Sequence, residues 1–189
     1  MQLAGKTAVV TGAADGIGRA IATSLADRGC HLALCDINEP GLVETAATLH
    51  GVRVSCHRLD VADCDGVAAL PGLVAAPHPS VDLLVNNAGV ALGGAFEQVS
   101  EAEFEWLFDI NFWGVVRMTR AFLPVLHRSN DARIVNLSSL FGLIAPPGQA
   151  AYAASKFAVR GFSDALRKEL VGSTVGVTVA HPGGVRTAI

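Results

Sequence analysis

The chain has 189 residues, 51% of them apolar and only 16% charged, with a net charge of −3 and a pI near 6.0. That balance gives no long-range pull toward nucleic acid or an anionic membrane, and no apolar run is long enough for a membrane span. The length suits one domain, 1–189, with a sizeable core; Met1-Gln-Leu-Ala-Gly-Lys6 lacks the apolar centre of a signal peptide, which points to the cytoplasm.

Thr7–Thr11 reads as a short buried strand and runs into Gly12-Ala-Ala-Asp15-Gly16-Ile17-Gly18. A helix follows, its buried face marked by Ile17, Ile21 and Leu25 and its end by Gly29. His31–Asp36 is a second strand, 39–49 a second helix, and Val52–His57 an alternating third strand leading to Asp60-Val61. A helix over about 63–75 stops before Pro77 and Pro79. Val81–Val85 is the fourth strand, closed by Asn86-Asn87-Ala88-Gly89.

Ser100-Glu-Ala-Glu103 is a capping box opening a helical region that runs through Asn111 toward Pro124, where an end or a kink is expected. Arg133–Leu137 is the fifth strand. The chain then breaks at Gly142, Pro146, Pro147 and Gly148 before a helix carrying Tyr152 and Lys156 to about Val171. Val175–Val179 is the sixth strand, followed by Pro182-Gly183-Gly184. Strands alternating with helices make parallel βαβ units, so the expected fold is α/β: a doubly wound parallel sheet, or Rossmann fold, with helices on both faces. Cys30, Cys35, Cys56 and Cys64 form no Cys-x-x-Cys pair and fit no zinc spacing; buried, reduced thiols and no metal are expected.

Two stretches carry chemistry. A glycine-rich turn between a strand and a helix can cradle a pyrophosphate on the helix N-terminus. The spacing here is Gly-x-x-x-Gly-x-Gly, and Asp36, at the end of the second strand, stands where an acid accepts hydrogen bonds from an adenosine ribose. Further on, Tyr152 and Lys156 are four apart and share a helix face. A free tyrosine titrates near ~10, and a fixed ammonium nearby favours its phenolate. The pair suits proton transfer, with Ser139 or Ser138 at the strand end as hydroxyl donor to a developing alkoxide.

Thr11-Gly12 to Gly18, Asn86-Asn87-Ala88-Gly89, Asn111, Ser139, Tyr152, Lys156 and Pro182-Gly183 together resemble the motif set of the short-chain dehydrogenase/reductase family, from the start of the chain to its last residues. The resemblance implies that Gly12, Gly16, Ile17 and Gly18 line the pyrophosphate, that Asp60 and Val61 flank the adenine, and that Asn87, with Ala88 and Gly89, packs the cofactor loop. Pro182, Gly183, Val185 and Thr187 would belong to the cofactor site, Thr187 reaching the carboxamide. It implies Ser139, not Ser138, as the catalytic serine, and Asn111 as a residue that bends its helix and holds a water in a relay to Lys156. The expected activity is hydride transfer between NAD(H) and a small secondary alcohol or ketone, with Tyr152 as general acid/base.

NAD is expected over NADP, because Asp36 would repel a 2′-phosphate, Asp15 stands where phosphate-binding relatives often place a base, and Ile37 offers no guanidinium. Val90, Leu92, Phe141, Leu143 and Ile144 flank the expected cleft and hint at an apolar substrate. Alternatives are a non-catalytic dinucleotide-binding protein, and a lyase or epimerase on the same scaffold. The family's pairing through its long helices implies a homodimer or homotetramer, with 103–127 and 150–171 as the helices concerned. Relatives also carry a substrate-binding segment and a seventh strand, so the expectation is a chain that lacks both and leaves its sixth strand as an open edge.

Overall fold

The computed structural model describes residues 2–184. The apolar runs become β1 (Thr7–Thr11), β2 (His31–Asp36), β3 (Val54–Arg58), β4 (Leu83–Asn86), β5 (Ala132–Leu137) and β6 (Val175–Ala180). All pair in parallel, in the order β3-β2-β1-β4-β5-β6. The chain moves outward from β1 to β3, then crosses back to β4. That reversal opens a crevice at the carboxyl ends of β1 and β4, where doubly wound sheets hold their ligands.

Alternation along the strands sorts the core into two layers. Ala8, Val10, Leu32 and Leu34 face one side and meet Ala22 and Leu25 of α1 (Gly16–Ala26) and Leu42 of α2 (Glu39–Ala47). Val9, Ala33, Leu84 and Ile134 face the other side. There they meet Leu70 of α3 (Cys64–Ala75), Phe122 of α5 (Gly114–Leu126) and Leu166 of α6 (Ala150–Glu169). Each fully buried side chain of this size stabilises the fold by roughly 1.5–3 kcal/mol. A buried polar chain ties the second layer to the sheet. Asn86 Nδ2 donates to Asn136 Oδ1 (2.8 Å) and Thr119 Oγ1 (3.2 Å), and Asn136 Nδ2 donates to Ser163 Oγ (2.9 Å).

The helical region opened by Ser100 has both halves of its capping box in place. It is interrupted: α4 (Glu101–Phe108) passes through a π-helical stretch, Asp109–Trp113, into α5. Pro124 sits in the last turn of α5, which ends at Leu126. Two thiols depart from expectation. Cys30 and Cys35 are buried, but Cys56 and Cys64 are exposed. β3 is an edge strand, where Cys56 reaches the Leu42 carbonyl of α2 (3.7 Å) without being covered, and Cys64 is the first residue of α3. β6 is the other edge. Its Val177 carbonyl accepts from Arg167 Nε (2.9 Å), and Val175 bonds the Ser173 hydroxyl through both N–H (3.1 Å) and C=O (3.3 Å), so side chains cover part of that edge. Among the described residues, no helix is long and apolar enough to cross a membrane.

Candidate active site

A cleft of about 580 Å³ runs along the carboxyl ends of the strands from Asp36 and Ile37 to Phe141 and Gln149. One end is the turn after β1. Gly12 and Gly16 have φ of 64° and 49°, a region that costs an L side chain dearly. Gly18 must be glycine for another reason: a Cβ there would stand 1.8 Å from the Gly12 carbonyl oxygen, so the helix could not close on the turn. Asn87 holds the turn from below, its Nδ2 donating to the carbonyls of Thr11 and Gly12 (both 3.0 Å). Thr11 Oγ1 in turn accepts from the N–H groups of Asn87 and Ala88 (both 3.0 Å). The Asp36 carboxylate accepts from the N–H of Ala14 (3.0 Å) and of Asn38 (2.9 Å). Two of its roughly four acceptor positions are used, which leaves room for hydroxyls from a ligand.

Asp15, Gly16, Ile17, Asp60, Val61, Ala88, Gly89, Pro182 and Gly183 all line this same cleft. Val185 and Thr187 lie outside the described residues.

The other end is built by β5 and α6. Ser139 leaves β5 in extended conformation and its Oγ accepts from the Phe141 N–H (3.1 Å), so the hydroxyl proton is not consumed. Ser138 points away and donates to the Lys156 carbonyl (2.9 Å), tying the strand end to α6. Gly142 makes that approach possible, since a Cβ on it would lie 2.2 Å from Ser138 Oγ. Tyr152 is half-buried against the edge of Phe141, with ring centroids 6.2 Å apart at 85°. Its hydroxyl makes no hydrogen bond among the described residues.

Lys156 is 5% exposed, and its Nζ lies 5.6 Å from the Tyr152 ring centre and donates to the Leu137 carbonyl (3.2 Å). Burial pulls its ammonium down from the usual lysine value to about 8. A lysine carried into the protein this far, with one carbonyl as partner, is an expensive structural device but a useful chemical one.

Asn111 stands apart from the cleft wall, fully buried in the π-helical stretch. Its Oδ1 accepts from the Val90 N–H (2.8 Å), while Nδ2 donates to the Val90 carbonyl (2.9 Å) and to Ser155 Oγ (3.3 Å). The side chain therefore clamps the loop after β4 to α6. Gly89 lies between it and the lysine: a Cβ there would stand 3.1 Å from Asn111 Oδ1 and 3.4 Å from Lys156 Nζ.

Of the apolar residues expected at the cleft, Val90 and Phe141 line it. Leu92, Leu143 and Ile144 are not in its wall, and the last two are 43% and 52% exposed, because the segment after Gly142 turns outward. Trp106 of α4, Ile110 and Gln149 line it instead. Only the Gln149 position carried a local signal, three residues before Tyr152 on the same helical approach; Trp106 arrives from a distant helix.

The family model for short chain dehydrogenases matches residues 6–189. An oxidoreductase named SadH from Mycobacterium tuberculosis is 48% identical over 189 residues, with 98% of this chain and 68% of that protein covered. The oxidoreductase UcpA of Escherichia coli is 40% identical, with 98% and 72% covered. Among solved structures, a short chain dehydrogenase/reductase from Burkholderia phymatum in complex with NAD superposes with a TM-score of 0.97 at 38% identity, covering 100% of this chain and 69% of that one. An alcohol dehydrogenase from Thermococcus sibiricus, complexed with 5-hydroxy-NADP, gives 0.90 at 33% identity, covering 95% and 77%.

Proposed function

The chain belongs to the short chain dehydrogenase family, and on that premise we propose that it is an NAD-dependent oxidoreductase acting on a secondary alcohol or ketone of apolar character. The observation that carries the reading is the cleft itself, with a glycine turn and Asp36 at one end and Ser139, Tyr152 and Lys156 on one wall at the other. NAD, when bound, supplies the hydride acceptor. Gly12 to Gly18 would hold its pyrophosphate against the N-terminus of α1, where the helix dipole favours negative charge. Asp36 would take the adenosine ribose hydroxyls with its unused lone pairs. Asp60 and Val61 would border the adenine; Pro182 and Gly183 would border the nicotinamide.

The residues at the far end then divide the work. Ser139 donates its free hydroxyl proton to the substrate oxygen. Tyr152 exchanges a proton with that oxygen as general acid/base. Lys156 steadies the negative charge on the phenol once its proton has gone, and would hold the nicotinamide ribose. Asn111 keeps the loop at Gly89 and Val90 fixed beside Lys156. Val90, Ile110, Phe141 and Trp106 favour an apolar substrate body.

The purified protein, given NAD and a panel of secondary alcohols, should raise the nicotinamide absorbance with at least one bulky apolar member. Binding of NADH with no net turnover across the panel would favour a lyase, an epimerase or a non-catalytic binder instead.

The protein should work as a homodimer or homotetramer through α4, α5 and α6. Phe112 meets Phe162 edge-on at 6.3 Å, and Trp113 is 49% exposed beside them, whereas Phe122 and Leu166 are spent on the core. Sedimentation showing only monomer at micromolar concentration would remove this part. Cys30 and Cys35 are buried and unpaired, as suits the reducing cytoplasm.

A further inference from the structure

The glycine turn is gripped from behind by a residue that lies outside the cleft wall. Thr45, in α2, is fully buried. A helical threonine usually returns its hydroxyl to its own helix, but Thr45 Oγ1 points out of α2 and shares its proton between the carbonyls of Ala13 (3.0 Å) and Ala14 (3.2 Å). Arg19, one turn into α1, completes the grip: its Nε donates to Thr45 Oγ1 (2.9 Å) and to the Ala14 carbonyl (3.0 Å), and its Nη2 reaches the same carbonyl and Glu44. The fit is close along the whole helix. A Cβ on Gly41, one turn before Thr45, would fall 2.8 Å from the Ala14 Cβ.

A trans peptide points its C=O and N–H in opposite directions. With the Ala14 carbonyl held on the α2 side, the Asp15 N–H of the same peptide unit faces the other way, toward the cleft that Asp15, Gly16 and Ile17 line. That N–H has no partner among the described residues. The preceding unit is fixed at both ends, with the Ala13 carbonyl on Thr45 and the Ala14 N–H on Asp36.

We propose that Thr45, acting with Arg19, is a positioning residue for dinucleotide binding: it orients the Ala14–Asp15 peptide so that its N–H is aimed at the cofactor before the cofactor arrives. The proposal rests on the reading of this cleft as a dinucleotide site. Loss of one such buried hydrogen-bond centre should weaken binding by about tenfold.

The test uses NADH, followed by its fluorescence on binding, together with thermal melting without nucleotide. Thr45→Val keeps the shape and removes the hydroxyl; Thr45→Ser restores it. The expected result is an NADH dissociation constant about tenfold higher for Thr45→Val and within about twofold of wild type for Thr45→Ser. A Thr45→Val protein that melts earlier but binds NADH as wild type does would overturn the proposal, because the threonine would then be structural only. Should Thr45→Val fail to fold, Arg19→Met, on a partly exposed residue, carries the same comparison, and unchanged affinity there overturns it equally. A wild-type protein that binds no NADH at all sinks the dinucleotide reading itself, and shows this before any variant is compared.

Discussion

The two ends of the cleft are built on opposite principles. At the glycine-turn end the protein satisfies its own polar groups: Thr11, Ala13, Ala14, Asp36 and Asn87 are all engaged with one another or with α1 and α2. At the Tyr152 end the working groups are held back from the protein. Tyr152 keeps its hydroxyl, Ser139 keeps its proton, and Lys156 spends its charge on one carbonyl. The first arrangement makes a rigid receptor that pays no ordering entropy on binding; the second leaves reactive groups poised for a partner not made of protein. If this contrast is right, substitutions at the two ends should separate binding from turnover.

The largest effect belongs to Tyr152→Phe. It deletes only the hydroxyl that has no protein partner, so turnover should fall by about 10³-fold or more while NADH binds as before. Near-native rates with any good substrate would end the assignment of Tyr152 as the proton carrier.

Lys156 joins the two ends, and its variants should not separate them. Lys156→Met should lose both turnover and most of the NADH affinity. Because burial lowers the ammonium to about 8, the wild-type protein should bind NADH well below that pH and progressively less well as pH rises through it, when the charge is lost. An affinity that stays flat from neutral pH to well above 8 would take the lysine's charge out of binding.

How much of this was legible in the sequence follows the same division. β1 and β2 begin and end where they were expected, because each is an apolar run bounded by glycine, or by an acid at its end. β3 and β4 each start two residues later and end one residue later than expected, since Val52 and Val81 are apolar for packing against the core and not for pairing in the sheet. Asp60, Val61, Pro182 and Gly183 were expected from the family resemblance alone, and Leu92, Leu143 and Ile144 were expected at the cleft but do not line it. The Gly12–Gly18 turn, Asp36, Tyr152 and Lys156 were readable because glycine turns, a strand-end acid and the Tyr-x-x-x-Lys spacing are local signals. Trp106 and the grip of Thr45 on Ala14 were not. Each depends on where a remote helix lands, and no local pattern encodes that. The π-helical interruption at Asn111 likewise leaves the apolar spacing of 101–126 almost unchanged, so periodicity alone reads one helix.

Cofactor choice sharpens the receptor end. Asp36 presents its carboxylate where the adenosine ribose is expected, and a 2′-phosphate there would meet a like charge at short range. NAD should be preferred over NADP by on the order of a hundredfold in kcat/KM. Asp36→Asn should erase most of that preference while keeping an acceptor for only one of the two N–H groups, Ala14 or Asn38, that the carboxylate oxygens now serve. Equal efficiency of the wild type with both cofactors would show that the carboxylate turns away from the ribose.

The smallest effect lies outside the cleft and asks whether the rigid half of the sheet has a weak point. Ser55 Oγ on β3 lies between His57 Nε2 (2.8 Å) and His78 Nε2 (2.9 Å), and His78 is 1% exposed with Nδ1 unpartnered among the described residues. Burial, with the positive charges of Arg53, His31 and His57 nearby, lowers His78 from 6.5 to about 4; burial lowers His57 as well. Between about 6.5 and 4 the unfolded chain takes up protons that the folded protein refuses. Stability is therefore complete above about 6.5 and drains away as pH falls toward 4. The melting temperature should drop by roughly 5 °C between pH 7.5 and pH 5, and His78→Gln, which cannot titrate, should flatten that dependence even if it melts lower throughout. Parallel pH profiles for the two proteins would move the acid sensitivity elsewhere. A flattened profile would locate it at the β3 edge, where Ser55 lies between His57 and His78.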